Sequence, residues 1–189
     1  MADFAFTPQD PWADLLTPLP PASHSPNAAV RIKAKTHGFS ADILLPRTQS
    51  QTGAASLPRL GSTVTEQEQR IACLTPHHYL INADHEPQAD TLKYLFGPQA
   101  EMIEQSGARA CLIVSGPATL ECLRRGIGID LDPSVFPPNS FAATYAAHIP
   151  VHVTALDPSG FELSCPVSMA GSFWHWLYET AQAFGVAQG

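Results

Sequence analysis

Residues 149–156 and 161–165 alternate apolar and polar side chains on either side of Asp157-Pro158-Ser159-Gly160. Val151, Val153 and Ala155 share one face of the first arm, and Phe161, Leu163 and Cys165 share one face of the second. A period of two marks a strand with one buried face. The four residues between them place proline second and glycine fourth, as a tight turn favours. The pair predicts an antiparallel hairpin whose apolar face must be covered by other elements.

The cover is legible further along the chain. Phe173, Leu177, Thr180 and Phe184 recur at spacings of three and four, which predicts a helix capped by Ser168 and ending before Gly185. Ala110, Leu112 and Val114 alternate along another strand from Arg109. Ser115 is then expected to cap a helix over residues 117–125, with Pro117 in its first turn, Gly126 at its end and Leu120 and Leu123 toward the core. Residues 30–34 read as a strand, as do 70–74 and 79–82 around Thr75-Pro76-His77-His78. Residues 87–96 carry Ala89, Leu92, Leu95 and Phe96 at helical spacing. Residues 47–62 read as a loop, and Pro133, Pro137 and Pro138 predict an extended course over 130–139. Hairpins and isolated helices, without strict strand–helix alternation, indicate an α+β fold of antiparallel sheets with packed helices.

Residues 1–28 form a separate expectation. Pro8, Pro11, Pro18, Pro20, Pro21 and Pro26 exclude helix and central strand, so this stretch reads as an extended arm, with one domain over residues 29–189. Trp12, Leu15 and Leu16 are apolar enough to dock the arm on a surface.

Charge narrows the partners. Only 14% of the 189 residues are charged, against about 25% in a typical domain, and the net charge is −7. Arg124-Arg125 is the only adjacent basic pair, so no nucleic-acid footprint is present. No apolar run approaches the roughly 20 residues that span a bilayer. Residues 1–10 show no basic stretch followed by an apolar one, so no export signal is expected and the chain reads as cytoplasmic. Cys73, Cys111, Cys122 and Cys165 are widely spaced and read as reduced, buried thiols. Charge depletion also suits a surface covered by other chains. Trp174, Trp176 and Tyr178 crowd the last helix beside its core stripe, and one helix cannot turn them all inward. Together with Trp12 they are the expected interface residues.

No catalytic, cofactor-binding or metal-binding set emerges. His148 and His152 both read as lying on a strand, where four residues span about 13 Å, too far to share an ion. His77 and His78 read as surface histidines in a turn. Gly126-Ile127-Gly128 lacks the third glycine of a dinucleotide fingerprint, and Gly171-Ser172 lacks the flanking glycines of a nucleophile elbow. The acidic residues are scattered among turns and helix starts.

Several stretches resemble a known family. Ser115-Gly116-Pro117-Ala118-Thr119-Leu120-Glu121-Cys122-Leu123 is followed by Arg125-Gly126, Ile129-Asp130-Leu131-Asp132-Pro133 and Phe136-Pro137-Pro138. Ile149-Pro150-Val151, Ser172-Phe173-Trp174-His175-Trp176-Leu177 and Phe184-Gly185 come later in the same order. This set resembles the gamma subunit of heterotetrameric sarcosine oxidase. The likeness covers residues 30–185 and is specific from Arg109 onward. It implies the fold of the folate-binding aminomethyltransferases and a non-catalytic place beside alpha, beta and delta subunits. Those partners would hold FAD, FMN, NAD, tetrahydrofolate and zinc. The complex, an oxidoreductase acting on CH–NH donors, would demethylate sarcosine or a related N-methyl amine to glycine or the demethylated amine, hydrogen peroxide and a one-carbon unit. Tyr79 and His78 stand where a tryptophan and an acidic residue are common, which leaves the amine open. A stand-alone folate-binding or methyl-transfer protein on the same fold is the alternative.

Overall fold

The computed structural model describes residues 11–13, 15, 27–47, 57–157 and 160–189, with the side chain of Asp157 excepted. Most of the proline-rich arm, Leu16 and the Pro158-Ser159 turn lie outside the described residues.

Among the described residues the strands form two sheets. The first runs β11 (Val186–Gln188), β1 (Val30–Lys35), β7 (Arg109–Ser115), β10 (Gly160–Pro166), β9 (Ile149–Asp157), β8 (Phe141–Ala146). Its pairs are antiparallel except β1 with β11. The second runs β3 (Thr63–Glu66), β4 (Gln69–Thr75), β5 (His78–Ala83), β2 (Phe39–Leu44), β6 (Glu101–Glu104), antiparallel throughout. The helices are α1 (Ala89–Phe96), α2 (Thr119–Leu123) and α3 (Ala170–Gln182).

Each sheet buries the alternate residues of its strands on an outer face. On the first sheet Leu112, Val114, Val151, Val153, Phe161 and Leu163 pack with Leu123 of α2 and Phe173 and Leu177 of α3. On the second, Ile43, Ile71, Tyr79 and Ile81 pack with Leu95 and Phe96 of α1. The remaining faces meet each other. Phe141 of β8 packs with Ala72 of β4 and Leu80 of β5 in a small apolar patch between the sheets. The backbone also crosses this junction, where Phe141 donates to the Gly61 carbonyl at 2.9 Å and Thr63 to that of Asn139 at 2.7 Å. The predicted hairpin, the strand from Arg109 and the α+β class are therefore as read.

Both expected helix caps are corrected. Ser115 is the last residue of β7, paired with Arg31 and Gly160, and α2 starts after Ala118 with no side-chain cap. Gly116 at φ +114 turns the chain there, and a Cβ on it would lie 2.5 Å from the Ala29 carbonyl oxygen, so only glycine fits. Ser168 lies inside a 3-10 turn (Val167–Met169), and α3 has Met169 at its N-cap, again without a side-chain bond. The buried side of α3 is Ala170, Phe173, Trp174, Leu177 and Ala181. Thr180 is half-buried, and its hydroxyl donates back to the Trp176 carbonyl at 2.7 Å.

Other expectations change locally. Residues 130–139 are not extended throughout. The Asp132 carboxylate accepts from the Ser134 amide and hydroxyl at 3.0 and 2.7 Å, and its carbonyl accepts from Val135 and Phe136, which closes a turn. His148 does not lie on the strand. Ala147 and His148, at φ 46 and 70, are the turn between β8 and β9, and two positive φ values match the twist of a hairpin. Residue spacing does not predict β2, β3, β6, β8 or β11. All four side chains of β6 are exposed, so it has no apolar period to read and exists by pairing with β2. Trp12 is buried at 1% exposure in the first sheet's core cluster, with Leu15 partly buried beside it.

Candidate functional site: a polar seam and cavity between the sheets

The strand residues that do not face the two apolar cores meet in the seam. From the first sheet come Arg109 of β7, His152 and Thr154 of β9, and Glu162 and Ser164 of β10. From the second come Ser40 and Asp42 of β2, Arg70 of β4, and His78 and Asn82 of β5. Period-two strands dictate this. Phe161, Leu163 and Cys165 point to the helices, so Glu162 and Ser164 point to the opposite sheet.

Glu162 is 5% exposed and ties the seam together. Arg70 Nη1 donates to its Oε2 at 2.7 Å, and His37 Nε2 lies 3.1 Å from its Oε1. Burial alone pushes its carboxyl up, but His37 and Arg70 outweigh this and hold the pKa below the usual carboxylate value. His152 sits at the other end, edge-on to Phe141 at 5.3 Å, with Nδ1 buried and unbonded among the described residues. Burial first, then Arg109 and His78, push its pKa down to about 3, so its ring is neutral. His78 Nε2 lies 3.2 Å from Asp42 Oδ1, off hydrogen-bond alignment.

A cavity of about 290 Å³ opens beside this network. Its polar wall includes Lys35, His37, Ser40, Asn82, Arg109 and Ser164, and its apolar wall Trp12, Leu80, Ala110 and Cys111. Exposed Ser106 and Gly107 border it on one side. Among the described residues no aspartate or glutamate lines it. Arg109 Nε donates to Ser164 Oγ at 3.1 Å and Nη2 to the Ser164 carbonyl at 2.7 Å. Burial lowers the Arg109 pKa, opposed in part by Cys111, Cys165 and Asp42, and among the described residues no carboxylate reaches its guanidinium as an ion pair.

Burial pushes the thiols of Cys111, Cys122 and Cys165 up to about 12, 11 and 11, so none is an available thiolate. Among the described residues no group of three or more His, Cys, Asp and Glu is placed to hold a metal ion. No described helix is long and apolar enough to cross a membrane. Sequence reading did not single out His37, Arg70, Arg109 or Glu162 as site residues. For Arg70, Arg109 and Glu162 the one sequence signal is position on the polar face of a strand, which looks the same whether water or a second sheet lies opposite, and His37 lies in the β1–β2 connection, where no period applies.

The four expected interface residues are placed differently from one another. Trp12 and Trp174 are buried in this chain's own core, at 1% and 7% exposure. Trp174 also stacks on Tyr178 at 5.5 Å. Trp176 and Tyr178 are half-buried. Trp176 leans on Gly126, where an added Cβ would lie 2.3 Å from its ring. Among the described residues the large apolar side chains most open to solvent are Leu60, Val135 and Tyr145, and Met102 and Ile103 stand out on the edge strand β6.

No family model matches the chain. It is 28% identical over 120 residues to sarcosine oxidase subunit gamma of Corynebacterium sp. strain U-96. That match spans 62% of this chain and 58% of the relative's own length. Its fold matches a chain of the heterotetrameric sarcosine oxidase from Corynebacterium sp. U-96, solved in complex with pyrrole 2-carboxylate, with a TM-score of 0.80 and 22% identity. The overlap takes in 96% of this chain and 98% of that one. It also matches the glycine cleavage system aminomethyltransferase T from Bartonella henselae, with a TM-score of 0.58 and 15% identity, over 92% of this chain and 50% of that one. The resemblance read from the residues thus holds: the chain is similar to the gamma subunit of sarcosine oxidase and has the fold shared by that heterotetramer and the aminomethyltransferases.

Proposed function

We propose that this chain is the gamma-type, non-catalytic subunit of a sarcosine-oxidase-like complex. The observation that carries this reading is its sequence likeness to a sarcosine oxidase gamma subunit. The matched fold adds support, since it extends over nearly all of both chains. Alpha, beta and delta subunits would be the partners, in the cytoplasm, with no nucleic acid or membrane involved. They would hold the flavins, the nicotinamide cofactor, tetrahydrofolate and zinc. The complex would demethylate sarcosine or a related N-methyl amine, release hydrogen peroxide and pass the one-carbon unit to tetrahydrofolate. Low charge content and the apolar groups on the edge strand β6 suit a surface that other chains cover.

The alternative, a stand-alone folate-binding protein, finds less support. A pterin presents a row of N–H donors that a carboxylate accepts best, and no described carboxylate lines the cavity. Purification of the tagged chain from its native host tests the two readings. Three companion chains, one of them carrying flavin, should elute with it on size exclusion. A chain that elutes alone, with oxidase activity in a separate fraction, overturns the subunit reading.

A further inference from the structure

We propose that the cavity between the sheets is a binding site for a small organic carboxylate with a compact apolar body. This goes beyond the subunit reading, which requires no ligand on this chain.

Three observations converge on it. The chain carries a net charge of −7, yet no described acidic residue lines this cavity, while Lys35 and Arg109 do. An acidic protein has collected cations at one concave site. Second, Arg109 has no ion-pair partner among the described residues, and both its hydrogen bonds go to Ser164. A guanidinium has five N–H donors in a fixed fork, so donors remain for a guest. A half-buried cation without a counter-ion is costly to hold, and a carboxylate taken up as a bidentate partner offsets that cost. Lys35 is engaged by Asp84 at 3.2 Å, and His37 by Glu162 at 3.1 Å, so Arg109 is the unspent charge.

The third observation sets the rest of the ligand. Trp12, Leu80, Ala110 and Cys111 supply apolar surface to the same cavity as this cation. A pocket lined mainly by apolar groups, with a few polar groups to fix orientation, suits an organic molecule better than an inorganic ion. Volume limits the apolar part to about one ring, since 290 Å³ lies at the small end of ligand sites.

The test uses the full-length chain with 4-fluorobenzoate as probe and 4-fluorobenzyl alcohol as its neutral counterpart, each followed by ¹⁹F NMR and calorimetric titration. Saturable binding of the carboxylate to one site per chain is expected, at least about tenfold tighter than the alcohol. Arg109→Met should weaken the carboxylate about tenfold and leave the alcohol unchanged. Because Arg109 also holds Ser164, a second variant leaves Arg109 in place. Gln105→Glu adds a negative charge at the cavity wall, where Gln105 bonds through its backbone, and should weaken only the carboxylate. Equal affinity for the two probes overturns the proposal, as does the absence of saturable carboxylate binding. Unchanged carboxylate affinity in folded Arg109→Met or in Gln105→Glu does so too. Every readout is on the single chain, so its failure is separate from any failure to assemble.

Discussion

His152 is the residue whose position most directly changes how the chain responds to acid. It lies buried on β9 against the Phe141 ring, and burial first, then Arg109 and His78, oppose a charged imidazole. The folded pKa is held at about 3, while the unfolded chain titrates near 6.5. A base with a depressed folded pKa stabilises fully above its unfolded value. That contribution is lost as pH falls from 6.5 toward 3, because the unfolded state binds the proton first. The loss approaches about 1.4 kcal/mol for each pH unit inside this window. Leucine cannot titrate, so His152→Leu should show a shallower fall in urea-unfolding stability between pH 6.5 and 4 than the parent chain. Parallel curves for the two proteins would mean that the imidazole is solvated and that the seam is open at that end.

The helix α3 shows how an element's phase decides a residue's role. Its aromatic surplus suggests two functions for one helix, a stripe for the core and a set for a partner. Packing divides the set otherwise. Trp174 follows Phe173 into the core, and Thr180 turns back on its own backbone instead of continuing the stripe. A turn of 3.6 residues drifts against the expected stripe, so Ala181 takes the inward position. Trp174→Ala should therefore destabilise the isolated chain about as much as Phe173→Ala. The expected loss is about 3–5 kcal/mol, or roughly 6–20 °C in the thermal midpoint. A Trp174→Ala chain that melts with the parent, while Phe173→Ala does not, would restore the tryptophan to the interface. Trp176 and Tyr178, half-buried on the same helix, are the members of the set with surface left for another subunit.

At the scale of the whole molecule, the two sheets carry separate apolar cores and meet through a mixed junction. Glu162 on one sheet and Arg70 on the other make its charged tie, with His37 from the β1–β2 connection on the second carboxylate oxygen. Removing one partner of a buried pair strands the others, which costs about 3–5 kcal/mol in a fully buried site. The Arg70 side chain keeps 29% exposure, so Glu162→Gln should fall lower, at about 2–4 kcal/mol. Lys35→Ala removes a pair with Asp84, whose side chain is 75% exposed, and should leave the unfolding midpoint unmoved. Urea denaturation of both variants gives the comparison. Equal, small effects would show that the sheets are held by Phe141 and its apolar neighbours alone.

The amino-acid sequence by itself determined the hairpin of β9 and β10, the strand β7, the helices α1 and α3 and the α+β class. In each, local spacing matches the side of the element that loses water, and that match is a property of neighbouring residues. It also carried the family likeness, through the stretches around Ser115–Leu123 and Phe173–Leu177. Tertiary structure alone decided what the other faces do. Glu162 and Ser164 alternate with apolar residues just as solvent-facing positions would, and only the approach of a second sheet makes them a seam. β6 has no apolar period and is a strand because β2 offers it hydrogen bonds. Arg109 begins a strand in the sequence, but that no carboxylate pairs with it among the described residues is visible only once Lys35, His37 and Ser164 share a cavity with it. Burial, pairing and charge balance depend on residues distant in the chain, and no local period encodes them.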